Sequence, residues 1–144
     1  MSEKKYKIGY TQGVFDMFHI GHLNLLNNAK KECDLLIVGV NSDNLVNEYK
    51  GIVPNVSETD RLAIIKNIKA VDDAIIVDTL DKVEIYKSLK FDAVFIGDDW
   101  KGSERWKNTE IALESLGAKV VYLKRTEGVS STVFRDKVRG KCEE

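Results

Sequence analysis

Both histidines of the 144-residue chain stand in one stretch, GVFDMFHIGH at positions 13–22, with Gly21 between His19 and His22. Two imidazoles at i and i+3 near a helix start share a face, and each can present one N–H to a nonbridging phosphate oxygen. Such donors need form no covalent bond. By tightening on the equatorial oxygens of a phosphorus under in-line attack they lower the barrier, and loss of one costs about 10²–10³ in rate. Gly21 lets backbone approach the ligand closely. A zinc site built on H-x-x-H finds no cysteine, histidine or obvious carboxylate nearby to complete a tetrahedral set. A purely structural role fits a lone buried histidine better than two flanking a glycine.

A second stretch with the means to hold anions is LKRTEGVSSTVFR at 123–135. Arg125 offers a fork of N–H donors, Thr126 a hydroxyl and Gly128 a tight turn. Ser130, Ser131 and Thr132 offer hydroxyls and backbone N–H groups at a helix start. Out of context, S-S-T is also an ordinary N-cap and Arg125 a surface charge. In GDDW at 97–100, Asp98 and Asp99 can accept base or ribose hydrogen bonds, help hold Mg²⁺, or form an Asx turn. A dianionic substrate needs positive charge beside it. Lys50, in a Lys50-Gly51 pair, is the first candidate and Lys82 the second; otherwise each is a solvent-facing charge.

Strand-length apolar runs alternate with helix-period segments: 7–11, 34–41, 73–78, 91–98 and 118–123 against 23–32, 57–70, 80–89 and 103–117. The order is β-α-β-α-β-α-β-α-β. The runs are continuously apolar, so both faces of each strand must be covered. The fold class is therefore α/β, a Rossmann-like, doubly wound parallel five-stranded sheet with helices on both faces. Ser57 with Asp60 resembles a capping box, and Gly117 follows a stripe of Ile111, Leu113 and Leu116 as a helix stop. The connection 42–56 reads as a short helix plus loop or as a functional flap. In such folds ligands gather beyond the carboxyl ends of the strands, and the first strand-to-helix turn receives phosphate; residues 13–22 occupy that turn, with the helix starting near Gly21.

One domain over residues 1–144 accounts for the length, with about 5–138 as ordered core and a short polar C-terminal tail. At 43% hydrophobic and 31% charged, with a net charge of −1, the chain has the composition of a soluble globule and no broad field to steer nucleic acid or membrane. Cys33 and Cys142 lack metal-ligand spacing and read as reduced, incidental thiols. No apolar stretch is long enough for a membrane span, and MSEKKYK is not the start of a signal peptide, which points to a cytoplasmic location.

The same residues resemble a known family. GVFDMFHIGH is similar to the H-x-G-H signature of the nucleotidyltransferase superfamily, and RTEGVSST resembles the segment with which its cytidylyltransferases grip the triphosphate and cytidine. GDDWKG resembles the glycerol-3-phosphate cytidylyltransferases; Val14 within GVFD is more similar to the choline-phosphate enzymes. Lys69 departs from the arginine of the family's R-Y-V-D-E block, and a second loop lysine near Ile52 is missing.

The resemblance implies transfer of a cytidylyl group from CTP to sn-glycerol 3-phosphate by direct attack, with pyrophosphate released. In that reading His19, His22, Lys50 and Arg125 are catalytic. Val14, Phe15, Asp16, Gly21, Asp99, Arg125, Thr126, Gly128, Ser130, Ser131 and Thr132 bind nucleotide, and Lys50 and Lys82 bind the acceptor. Asp16 orients His19 or binds through Mg²⁺, and Arg61 stands near the site or pairs with Glu58. Mg²⁺ is carried mainly by the nucleotide phosphates. The partners are CTP and a small phosphorylated alcohol, and the chain forms a homodimer with KAVDDAI near the contact. Three alternatives stand beside it: choline phosphate or ethanolamine phosphate as acceptor, ATP as donor (S-S-T-x-x-R at 130–135 also resembles the adenylyltransferase branch), and a nucleotide sensor without turnover.

Overall fold

The computed structural model describes residues 4–98 and 101–124. The chain forms β1 (Tyr6–Gly13), α1 (Ile20–Lys30), β2 (Cys33–Asn41), α2 (Asp43–Lys50), α3 (Glu58–Lys66), β3 (Asp73–Val77), α4 (Lys82–Leu89), β4 (Ala93–Gly97), α5 (Glu104–Ser115) and β5 (Lys119–Leu123). All five strands are parallel, in the order β3-β2-β1-β4-β5. The chain winds outward from β1 through β2 to β3, then crosses back to β4 and β5. The direction of winding reverses between β1 and β4, where an open α/β sheet leaves a crevice at its carboxyl edge. Thr11 Oγ1 donates to the Phe95 carbonyl at 2.9 Å and clasps these two strands just below it.

Continuous apolar strands produce a core on each face of the sheet. One cluster packs Leu26 and Ala29 of α1 and Ile65 of α3 against Leu36, Val38, Val40 and Phe95. The other packs Ile85 of α4 with Trp106 and Leu113 of α5 against Tyr10 and Val94. The expected helices on both faces are present. Gly39 on β2 lets the second cluster close: a Cβ there would sit 2.1 Å from the Tyr10 hydroxyl, so no other residue fits without displacing that ring.

Segment 42–56 contains α2, capped by the Ser42 hydroxyl on the Leu45 N–H and closed by Gly51 at φ 71°, followed by a strap to Ser57. The Ser57 hydroxyl accepts from the Asp60 N–H as the sequence indicated, but α3 ends at Lys66 and not at Ala70. The apolar stripe proposed for α5 is corrected. Leu113 is buried, whereas Ile111 and Leu116 are 68% and 45% exposed. Trp106, the larger anchor, sets the inward face, and Leu113 lies two turns along it. Gly117, at φ 97°, stops the helix as expected. Cys33 is a buried free thiol; Cys142 lies outside the described residues.

Candidate active site

Between Gly13 and α1 the chain makes a turn that ordinary backbone preferences oppose: Phe15 and Met17 take φ values of 54° and 52°. Left-handed non-glycine residues cost about 1 kcal/mol or more each and persist only where surroundings dictate them. Here the surroundings are specific. The Phe15 ring is buried and meets the His22 ring edge-on at 5.4 Å. The Asp16 carboxylate, 2% exposed, accepts from the Asn55 N–H at 2.8 Å, the Asn55 side-chain amide at 3.1 Å and the Val56 N–H at 2.9 Å. Asp16 thus ties the turn to the strap after α2. It was expected to orient His19 or a cation; a carboxylate engaged by three N–H donors of the strap is a positioning group first.

The two histidines cap α1 reciprocally. His19 is the N-cap residue, and its Nδ1 accepts from the Gly21 N–H at 3.0 Å. His22 Nδ1 accepts from the His19 N–H at 3.2 Å. The rings stack with centroids 3.9 Å apart. A ring nitrogen that accepts a hydrogen bond carries no proton, so each imidazole is neutral with its proton on Nε2. Burial, reinforced by His19 and opposed by Asp16, pushes the His22 pKa down to about 4, which keeps it uncharged at neutral pH. The expected pair of N–H donors is therefore present as two Nε2–H groups. α1 begins at Ile20, near Gly21 as expected, and the His19 and Gly21 amides at its start are taken by the imidazoles themselves.

Arg61 was expected beside the site or paired with Glu58. It is wholly buried, and its guanidinium holds the site's frame together. Nε donates to the Val56 carbonyl, and Nη1 to the carbonyls of Val14 and Asn41, all at 2.8 Å; Nη2 pairs with Asp43. Glu58 instead accepts from the Asp43 N–H. One side chain thus joins the ends of β1 and β2, the start of α2 and the strap. The signal was its spacing: Arg61 stands one helical turn before Ile65 on the inward face of α3.

Beside the turn, over the carboxyl ends of β1 and β4, lies a cleft of about 360 Å³. Gly13 and Val14, which lead into the histidine turn, form one wall, Tyr49 and Lys50 of α2 another, and Lys82, Arg105 and Trp106 the third. Lys82 is 6% exposed; its Nζ donates to the Leu80 carbonyl at 2.9 Å and lies 5.4 Å from the Trp106 ring centroid. Burial, with help from Arg105 and against Asp81, lowers its pKa to about 8. A solvent-facing role for Lys82 is excluded. Lys50 ends α2 with its Nζ 5.7 Å from the Tyr49 ring centroid. Arg105, Gln12 and Asn41 also reach the cleft and were not anticipated; each lies at a strand or helix end, the only hint the sequence carried.

Asp98 directly follows β4, its carbonyl accepting from the Lys101 N–H. Asp99, Arg125, Thr126, Gly128, Ser130, Ser131 and Thr132 lie outside the described residues. Among the described residues, no three His, Cys, Asp or Glu side chains converge to hold a metal ion, and no helix is long and apolar enough to cross a membrane.

Residues 10–137 match a family described as Cytidylyltransferase-like. Among curated proteins, the Bifunctional protein HldE of Caulobacter vibrioides is 35% identical over 127 residues, covering 88% of this chain and 26% of that protein. HldE of Paramagnetospirillum magneticum is 34% identical over 138 residues, covering 95% and 28%. The chain thus spans about a quarter of the length of these curated relatives. Among solved structures, the lipopolysaccharide core biosynthesis protein from Thermoplasma volcanium superposes with a TM-score of 0.73 at 30% identity, covering 85% of this chain and 99% of that one. A pantoate-beta-alanine ligase from Francisella tularensis, at 15% identity and a TM-score of 0.60, shares the fold.

Proposed function

Because the chain belongs to the cytidylyltransferase-like family of nucleotidyltransferases, we propose that it moves a nucleoside monophosphate from a nucleoside triphosphate to a small phosphorylated sugar or polyol. A phosphate oxygen of the acceptor attacks the α-phosphorus. A new P–O bond forms, the bond from that phosphorus to the bridging oxygen breaks, and pyrophosphate leaves with the electron pair. The acceptor phosphate is already a nucleophile near neutral pH, so no side chain has to remove a proton.

The observation that carries this reading is the reciprocal histidine cap. It fixes both imidazoles as neutral Nε2–H donors at the carboxyl end of β1, where their work is to hold the α-phosphate oxygens as charge gathers on them. The neighbouring cleft takes the acceptor: Lys82 and Lys50 offset the repulsion between two phosphates, and the narrow walls hold the nucleophile in line. Arg125, Ser131 and Thr132 are proposed to hold the departing pyrophosphate. Mg²⁺, when bound, neutralises phosphate charge. With Asp16 engaged by the strap, the donors that fit the cation best are the nucleotide's own phosphate oxygens.

For the substrates, likeness to a lipopolysaccharide core biosynthesis protein and to the HldE proteins supports a phosphorylated sugar as acceptor. The S-S-T-x-x-R segment supports ATP as donor. A second reading, CTP with sn-glycerol 3-phosphate, is supported by GDDWKG. Both reactions belong in the cytoplasm, where nucleoside triphosphates are supplied, and a homodimer remains part of the proposal. The test is pyrophosphate release with Mg²⁺ and ATP or CTP, against sugar 1-phosphates, glycerol 3-phosphate and choline phosphate. Turnover with ATP and a sugar phosphate supports the first reading, and turnover confined to CTP with glycerol 3-phosphate the second. Nucleotide binding without pyrophosphate in any pairing contradicts both and favours a sensor.

A further inference from the structure

Behind the cleft runs a hydrogen-bonded chain in which every step has one direction. The Thr79 carbonyl can only accept, so the Gln12 side-chain amide must donate to it, at 2.9 Å, and to Asn41 Oδ1 at 2.8 Å. Gln12 Oε1 is then the atom that receives the Tyr10 hydroxyl proton, at 2.8 Å. Asn41, 3% exposed, has its oxygen toward Gln12 and therefore its amide toward Tyr49, whose hydroxyl oxygen accepts at 3.1 Å. With that oxygen serving as acceptor, the Tyr49 hydroxyl proton is what it has to offer a ligand. Tyr10 is wholly buried, and Gly39 is the residue that admits its hydroxyl.

Tyr49 shares the cleft with Lys50, Lys82 and Arg105, side chains that only donate. A wall of donors suits phosphate oxygens, which only accept, better than sugar hydroxyls, which need both. We propose that Tyr49 donates its hydroxyl proton to a phosphate oxygen of the acceptor, and that Tyr10, Gln12 and Asn41 are positioning residues that hold it as a donor. This rests on the cleft being the acceptor site. Burial pushes the Tyr49 phenol pKa up, so the proton is present at neutral pH.

The experiment titrates the full chain with inorganic phosphate and follows the backbone amides of Tyr49, Lys50 and Lys82 in ¹H–¹⁵N spectra. Tyr49→Phe, at a partly exposed position, should fold normally and weaken phosphate binding about tenfold, as loss of one hydrogen bond to a charged group does. Gln12→Leu frees Asn41 to turn its oxygen onto the Tyr49 proton, so it should weaken binding with Tyr49 intact. Adding Tyr49→Phe to Gln12→Leu should then weaken it by much less than tenfold, with melting curves confirming that each variant is folded. Wild-type affinity in Tyr49→Phe, or two losses that multiply in the double variant, overturns the proposal. If Lys82→Ala abolishes binding while Tyr49→Phe does not weaken it, the cleft reading survives and the Tyr49 assignment falls. Absence of phosphate-induced shifts at these amides in the wild type contradicts the cleft reading and the proposal with it.

Discussion

The histidine turn and the cleft beside it are neighbours built on opposite plans. In the turn, side chains bond to main chain: each imidazole uses one nitrogen on a backbone amide, Asp16 takes two backbone N–H groups of the strap, and Arg61 holds three carbonyls. Its geometry is therefore dictated by backbone path. The cleft is walled by side chains from α2, α4 and α5 that meet only through folding. Under the proposed function, the plan fixed in the backbone serves the step common to every acceptor, and the plan written in side chains is where acceptors are told apart. The difference teaches that damage to the turn should appear in kcat or stability, and damage to the cleft in the acceptor's KM.

The largest expected effect strikes the frame that supports both regions. Arg61→Met removes a buried guanidinium and leaves three carbonyls and Asp43 without their partner. A destabilisation of about 3–5 kcal/mol is expected in denaturant unfolding; a loss under 1 kcal/mol would show that the frame is held elsewhere. Next, His22→Ala should lower kcat by about 10²–10³ with little change in nucleotide KM. Equal losses in kcat and in affinity would place the imidazole in ground-state binding and blur the comparison. Asp16→Asn should reduce stability by about 1–3 kcal/mol through the strap, measured as a shift in the unfolding midpoint, and leave acceptor KM largely unchanged.

The smaller effects sharpen the other side. Lys82→Ala should raise acceptor KM about tenfold and leave nucleotide KM alone. The pH dependence follows from the sign of its shift. Burial lowers the Lys82 pKa to about 8, so the ammonium is present below that value and lost as pH rises through it. Acceptor KM should therefore climb above about pH 8, well before an ordinary lysine would titrate, and Lys82→Arg should abolish the climb. A KM that stays flat to pH 10 would remove Lys82 from the acceptor site.

The same contrast explains what the sequence could reveal. The sheet was legible because continuously apolar strands between helix-period segments have few other ways to bury both faces. The histidine turn was legible because its chemistry is local: ten consecutive residues carry the imidazoles, the glycine and the aspartate. The role of Asp16 was not, because its partners Asn55 and Val56 arrive from a strap some forty residues on. Arg61 was placed near the site or against Glu58, but its role as the frame's tie was not legible, because nothing nearby in sequence names the Val14 and Asn41 carbonyls it reaches. Ile111 and Leu116 share helical spacing with Leu113, but spacing gives a face only once the heaviest anchor, Trp106, is known to point inward. The cleft joins Gly13, Tyr49, Lys82 and Arg105, distant positions that only the crossover topology brings together.

The central claim is that the turn holds two neutral imidazoles with Nε2–H turned to phosphate work and Nδ1 held by the helix. Because the chain has only two histidines, long-range ¹H–¹⁵N spectra at pH 7 report on both without ambiguity. The account predicts unprotonated Nδ1 and protonated Nε2 in each ring, with a nonhydrolysable nucleoside triphosphate shifting the Nε2 signals and leaving Nδ1 nearly still. A proton on Nδ1, a charged ring at pH 7, or a nucleotide response confined to Nδ1 would contradict it.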